Sequence, residues 1–266
     1  MKTFKSLFPT VTMPVLFIGH GSPMNAVEDN QFTQAWQDVI ANITKPQVII
    51  VMSAHWQTNN GTYLTAQAQP PTIYDIYGFP EALYNLQYSA PGLPKLVEEL
   101  TENIRGLQPS EEWGFDHGTW SILQKMYPQA DIPVIQMSID ASLSIVEQVT
   151  FIKKLQFLRQ WGVLFIGSGN IVHNLQLLNW NSNQSYLWAA NFDQKVKELI
   201  EKNDLNALMD YQNLTPDSHY CIPSDEHYRP MLAALALRTN QDKVHFFAEE
   251  IVMGSIAMRS FILRDV

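Results

Sequence analysis

Four short apolar runs constrain this chain more than any other feature: Val15-Leu16-Phe17-Ile18, Val48-Ile49-Ile50-Val51-Met52, Pro133-Val134-Ile135-Gln136-Met137 and Val163-Leu164-Phe165-Ile166. Each is rich in β-branched residues, bounded by Gly, Ser or Pro, and too short for a buried helix, so each reads as a strand. A strand with one wet face alternates apolar and polar residues, whereas these runs are almost unbroken, which predicts a sheet covered on both faces. Helical stripes fall between them. Phe32, Trp36, Val39 and Ile40 form one, and Leu96, Val97, Leu100 and Ile104 form another that begins at Pro94. Further helices are expected over 144–161, 187–203 and 227–238, with two closing strands over 244–248 and 255–263. The alternation is βαβ in logic. It predicts a three-layer α/β/α sandwich with a mostly parallel, mixed central sheet, some of it antiparallel near the C-terminal end of the chain.

Composition narrows the partners. Charged residues make up 16% of the 266 residues, against about a quarter in an ordinary soluble domain, so the chain has ample material for a large core. No Ser/Gly-rich linker, charge block or repeat marks a seam, and residues 1–266 are read as one catalytic domain. The balance of 17 basic and 26 acidic side chains leaves a net charge of −9 with no Lys/Arg cluster, which argues against a nucleic-acid partner. The apolar runs are far shorter than the roughly 18 residues of a membrane span, and the segment Met1-Lys2-Thr3-Phe4 opens no long apolar stretch, so the expectation is a cytoplasmic protein, a monomer or small homo-oligomer. A single cysteine, Cys221, excludes an internal disulfide and any Cys-rich metal cluster. Metal or proton chemistry here must rest on His, Asp and Glu.

Open α/β sheets bind ligands beyond the carboxyl ends of their strands. Three histidines follow strand candidates: His20 in Gly19-His20-Gly21-Ser22-Pro23, His55 in Ser53-Ala54-His55-Trp56, and His173 in Gly167-Ser168-Gly169-Asn170-Ile171-Val172-His173-Asn174. If the strands are parallel, all three meet at one edge of the sheet. His227, in Asp225-Glu226-His227-Tyr228-Arg229-Pro230, opens a helix, and His117 lies in the irregular segment Gly114-Phe115-Asp116-His117-Gly118-Thr119-Trp120. A single histidine is most often an ordinary surface or core residue, but joint placement at successive strand ends, flanked by small residues, points to a metal or catalytic site. His219 and His245 have no such setting and are read as structural. Other motifs fail on spacing. Gly167-Ser168-Gly169 lacks the third glycine of a dinucleotide turn, and no P-loop, G-x-S-x-G elbow or H-E-x-x-H helix is present.

Taken together, the segments around His20, His55, His117, His173 and His227 closely resemble the 4,5-DOPA extradiol dioxygenase branch of the class III extradiol ring-cleaving dioxygenases. The resemblance runs in order from about residue 14 onward. It implies a non-haem metal enzyme that opens a catechol ring with O2 as co-substrate, with Fe(II) for turnover and Zn(II) as a metal that has been seen in the site. Mapped onto this chain, it implies His20, His55 and His227 as metal ligands and His173 as the acid/base, with a near-neutral pKa suited to taking and returning a catechol proton. His117 then stands as a hydrogen-bond donor to bound dioxygen. The wider class uses two histidines and a carboxylate. Asp225 or Glu226 therefore competes with His227 for the third position, and His173 is a candidate fourth ligand.

For the substrate, the Pro-punctuated segment from Pro70 to Pro80, with Tyr74 at its centre, and the tryptophans Trp56 and Trp120 suggest a flat apolar slot for an aromatic ring, core packing being the equal alternative. Arg229 is the candidate partner for the carboxylate of a DOPA-like molecule. Two other functions fit the same histidines: a zinc-dependent hydrolase using metal-bound hydroxide, and a binding protein that keeps the site as a relic.

Overall fold

The computed structural model describes residues 4–180 and 184–265. The chain enters through β1 (Val15–Gly19), α1 (Gln31–Ile40), β2 (Val48–Thr58), β3 (Thr62–Thr65), α2 (Glu81–Tyr84), α3 (Pro94–Asn103), β4 (Leu107–Ser110) and α4 (His117–Met126). It continues through β5 (Val134–Asp140), α5 (Ile145–Lys153), β6 (Val163–Gly169), α6 (Leu187–Glu201), α7 (Leu205–Met209), α8 (Ser218–Cys221) and α9 (Arg229–Ala236), and closes with β7 (Lys243–Phe247), β8 (Ile251–Val252), β9 (Ile256–Ala257) and β10 (Ser260–Arg264).

Eight strands form one sheet in the order β4-β3-β5-β2-β6-β1-β10-β7. Its centre, β5-β2-β6-β1, is parallel, while β10 and β7 add antiparallel at one side and β3 pairs antiparallel with β5 at the other. The unbroken apolar runs have the expected consequence. Val15, Phe17, Ile50, Val163 and Phe165 face a core completed by α3, α5, α6 and α9. Their neighbours Leu16, Ile18, Ile49, Val51, Leu164 and Ile166 face a second core with Trp36 of α1 and Trp120 of α4. Three layers result because the strand period of two delivers alternate side chains to opposite faces. Among the described residues no helix is long and apolar enough to cross a membrane.

Several boundaries differ from the sequence reading, each for a local reason. The helix expected over 144–161 is α5, with a Ser144/Glu147 capping box, followed by a separate 3-10 turn from Gln156 to Trp161 that stops at the left-handed Gly162. The final strand expected from residue 255 is broken, because β9 pairs with β8 before the chain re-enters the main sheet as β10. His117 opens α4 rather than lying in irregular chain, since the Asp116 side chain accepts the Thr119 N–H and caps the helix. β2 runs past the expected end at Met52 to Thr58, but its register against β5 shifts between Met52 and Gln57. Such a break re-aims side chains, and His55 sits within it.

A candidate metal centre at the carboxyl edge of the sheet

Because β1, β2 and β6 are parallel neighbours, their carboxyl ends open on the same edge, where Gly19 lies opposite Gly169 and Ser53 opposite Ser168. The loop after β1 carries His20, the irregular part of β2 carries His55, the start of α4 carries His117, the loop after β6 carries His173, and the turn before α9 carries His227. All five imidazoles converge. Ring centroids lie 5.1 Å apart for His20 and His55, 5.4 Å for His20 and His227, 4.9 Å for His55 and His227, and 3.8 Å for His55 and His117. His173 stacks on His227 at 3.5 Å with the planes 8° apart. His219 and His245 are exposed and take no part.

Glycine makes this convergence possible at two points. A Cβ on Gly169 would stand 2.1 Å from the His227 carbonyl oxygen, and one on Gly118 would stand 2.5 Å from Ser53 Oγ and 3.0 Å from the His55 ring. β6 thus approaches the His227 turn, and α4 approaches His55, only because those positions lack side chains.

Hydrogen bonds on the outer nitrogens decide what the inner nitrogens offer. Ser168 Oγ donates to the Gly118 carbonyl at 2.6 Å, so toward His20 Nδ1, 3.0 Å away, it acts as acceptor. His20 therefore carries its proton on Nδ1 and turns a bare Nε2 inward. Glu226 Oε1 lies 3.0 Å from His227 Nδ1 and holds that ring in the same tautomer. His227 Nε2 is buried with no hydrogen-bond partner. Nε2 of His20 and Nε2 of His55 are 3.2 Å apart, and the ligand atoms of His20, His55 and His227 all lie within 4.8 Å of one another. Two nitrogens each about 2.0–2.1 Å from one ion, as in zinc sites, stand about 2.8–3.4 Å apart for angles between a right angle and the tetrahedral one. The donor set therefore fits a divalent cation, which would also partner the orphaned His227 nitrogen.

Electrostatics agree. Burial, reinforced by the surrounding imidazoles, holds His20 and His227 well below the ordinary histidine range; His55 moves the same way through burial and His117, with Asp75 opposing. Neutral imidazole is the form that binds metal. His173 is pushed down to about 4, chiefly by burial and then by His117, rather than resting near neutrality as the sequence reading had it. Behind His55, the fully buried Asp116 accepts from Ser53 Oγ and from Gln136 Nε2, and desolvation raises its carboxyl to about 6.

Other sequence candidates land elsewhere. The competing carboxylates are engaged, Asp225 with Arg229 Nε at 2.8 Å and Glu226 with the outer face of His227. Arg229 is itself held by Asp225, the Leu143 carbonyl and Gln148 Oε1, with 10% of its side chain exposed, so it stiffens the turn that carries His227 rather than reaching toward a substrate. Trp120 is completely buried, its indole N–H donating to the Ile73 carbonyl, and Trp56 stacks on Trp113; the apolar slot expected from these two tryptophans is core packing. Tyr74 is half-buried, with its hydroxyl on the Leu86 carbonyl. Cys221 is buried, and desolvation pushes its thiol up to about 12, which excludes an activated thiolate. The residue that sequence reading missed is Asp75. Its carboxylate accepts the His117 backbone N–H at 2.9 Å and the His117 Nδ1–H at 2.8 Å. Burial would raise its pKa, but the ring and backbone hydrogen bonds from His117, with the electrostatic attraction of that side chain, outweigh it and lower the carboxyl.

Comparison with known proteins gives a consistent picture. Residues 11–258 match the family model described as the catalytic LigB subunit of aromatic ring-opening dioxygenase. The chain is 42% identical to a 4,5-DOPA dioxygenase extradiol of Escherichia coli K12, covering 96% of each chain, and 33% identical to one of Beta vulgaris, covering 85% of this chain and 87% of the other. A crystal structure of an uncharacterised Escherichia coli K12 protein superimposes with a TM-score of 0.82 at 38% identity, over 95% of this chain and all of the other.

Proposed function

This chain belongs to the LigB family of aromatic ring-opening dioxygenases, and from that premise we propose that it cleaves a small catechol, DOPA-like or related, in the extradiol manner at a metal held by Nε2 of His20, His55 and His227. The observation that carries the metal assignment is the buried, unpartnered His227 Nε2 converging with the bare Nε2 of His20 and with Nε2 of His55. Names of the relatives support the substrate class. An all-nitrogen set also suits Zn(II), which we take as a metal the site binds without turnover. The working metal in this reading is Fe(II): a redox-active ion supplies an electron path between singlet catechol and triplet O2, which d10 zinc does not.

The protein's own part is proton handling and placement. Three neutral imidazoles add no negative charge to the site, so a catechol that approaches the cation is drawn to give up a hydroxyl proton. His173 is neutral across the physiological range, and it takes that proton at an imidazole nitrogen and returns it when the ring opens. Its main chain is fixed by the His173 N–H bond to the Cys221 carbonyl, and its ring by the stack on His227. We assign His117, which lies against His55 with ring centroids 3.8 Å apart, as the second group that meets a reacting oxygen of the substrate. We read the whole of 1–266 as one catalytic unit, because these histidines come from elements spread along most of its length. The compartment we assign is the cytoplasm, where the lone buried thiol meets no oxidising requirement.

The test is anaerobic loading with Fe(II), then a panel of catechols on an oxygen electrode. Uptake of O2 with a yellow ring-opened semialdehyde is expected; no uptake with any catechol refutes the proposal. Hydrolytic activity that persists with zinc and consumes no O2 would favour a zinc hydrolase instead.

A further inference from the structure

Asp75 belongs to none of the histidine motifs and lies in the aromatic, Pro-punctuated loop that also carries Tyr74. Its backbone lies at the surface, but its side chain turns inward and is 17% exposed. The loop is pinned to the segment that leads into α4: Ile73 N–H donates to the Phe115 carbonyl, Phe115 N–H donates to the Pro71 carbonyl, and the Trp120 indole donates to the Ile73 carbonyl. The carboxylate is thereby delivered to one place. Oδ1 accepts the His117 backbone N–H at 2.9 Å, Oδ2 accepts at the ring Nδ1 at 2.8 Å, and the same Oδ2 stands 3.8 Å from His55 Nδ1.

An ionised carboxylate can only accept, so the ring nitrogen facing it must carry the proton. Neutral His117 then has a bare Nε2, the reverse of what a neutral hydrogen-bond donor needs. We propose that Asp75 is a positioning residue that fixes His117 as the Nδ1–H tautomer and holds its ring against His55, so that His117 meets the substrate as a proton acceptor at Nε2. It acts through His117 and touches no reacting atom. The consequence for turnover rests on the dioxygenase reading above; the tautomer does not.

Asparagine at position 75 makes a discriminating probe. Its side chain has one acceptor and one donor where aspartate has two acceptors. The His117 backbone N–H can only donate, so the amide oxygen turns to it and the amide N–H faces the ring, forcing the ring proton to Nε2. Histidine labelled with 15N reads the tautomer directly in zinc-loaded protein, with the His117 signal assigned from the spectrum of His117→Gln. Wild type should show the Nδ1–H pattern at His117, Asp75→Asn the Nε2–H pattern, and Asp75→Glu, which restores two acceptors, a return toward wild type. With Fe(II), Asp75→Asn should keep its metal content and KM near wild type while kcat falls about 10–100-fold, the range typical of groups that orient a ligand from behind. Nε2–H at His117 in the wild type, an unchanged tautomer in Asp75→Asn, or an inverted tautomer with wild-type kcat would each overturn the proposal. The wild-type spectrum decides the matter even if a variant does not fold. A wild-type enzyme that shows the Nδ1–H pattern but turns over no catechol would refute the assigned function and leave the positioning role standing.

Discussion

Gly169→Ala tests the architecture of the centre without altering any ligand. An alanine Cβ would sit 2.1 Å from the His227 carbonyl oxygen, and real Cβ atoms essentially never come within 3.0 Å of a neighbour, so the His227 turn must retreat by at least about 0.9 Å. The carbonyl cannot swing freely, because it accepts the Asn170 N–H at 2.9 Å. Metal–ligand distances tolerate only about 0.2 Å, so a shift of that size takes His227 Nε2 out of coordination range. Overpacking of this kind costs about 1–3 kcal/mol of stability. Loss of one of three ligands should weaken metal binding by 100-fold or more, about 2.7 kcal/mol. Gly92→Ala is the control: its Cβ would lie 2.0 Å from the Gln67 carbonyl oxygen, an equal clash against a residue bonded to Glu111 and Trp113 rather than to any of the five histidines. Zinc titration against a chelator should show Gly92→Ala destabilised yet binding as wild type, and Gly169→Ala folded yet weak. Wild-type affinity in Gly169→Ala, or equal losses in both, would refute the reasoning.

Three further predictions follow from the same contacts. Ser168→Ala removes the acceptor of His20 Nδ1–H and the donor to Gly118 O; it should lower zinc affinity about 10–100-fold and melting stability by about 1–3 kcal/mol, as read by chelator competition and calorimetry. Metal-free protein should lose stability as pH falls from 6.5 toward 4. His173 is depressed to about 4, so the unfolded chain binds a proton there that the folded chain refuses, a difference of about 3 kcal/mol. His20, His55 and His227 act in the same direction, while Asp116, raised to about 6, opposes them. A melting temperature that stays flat or rises on acidification would contradict this. His173→Gln should retain near-wild-type metal content while turnover falls about 10²–10⁴-fold; full turnover would remove His173 from proton transfer, and equal inactivity of the wild type would favour a relic site.

The strands that organise the fold were legible because burial on both faces leaves an unmistakable pattern, and β1, β2, β5 and β6 sit where the apolar runs lie. β3 and β4 escaped notice because Thr62, Thr65, Gln108 and Pro109 break that pattern, as the outer strands of a sheet can allow, Pro109 lying on the edge strand itself. The far end of β2 was hidden for a functional reason: where it passes the site, Ser53, His55 and Gln57 replace apolar residues. Five histidines could be gathered from strand ends and motifs, but their supporting groups could not. Ser168 is 148 residues from His20 and Asp75 is 42 from His117, and no local spacing rule connects them. Adjacency in sequence misled in the opposite sense. Arg229 and Trp120 lie two and three positions from site histidines, yet the fold uses both inside the protein.

The central claim is that three converging imidazole nitrogens hold a redox-active ion at which both atoms of O2 enter a catechol ring. Mass spectrometry of the product formed by Fe(II)-loaded protein under 18O2 addresses it most directly. The account predicts a ring-opened product carrying two labelled atoms, formed with one O2 consumed per catechol and absent when His227 is replaced by alanine. A product labelled from solvent water alone, or one formed equally well with zinc in place of iron, would contradict it.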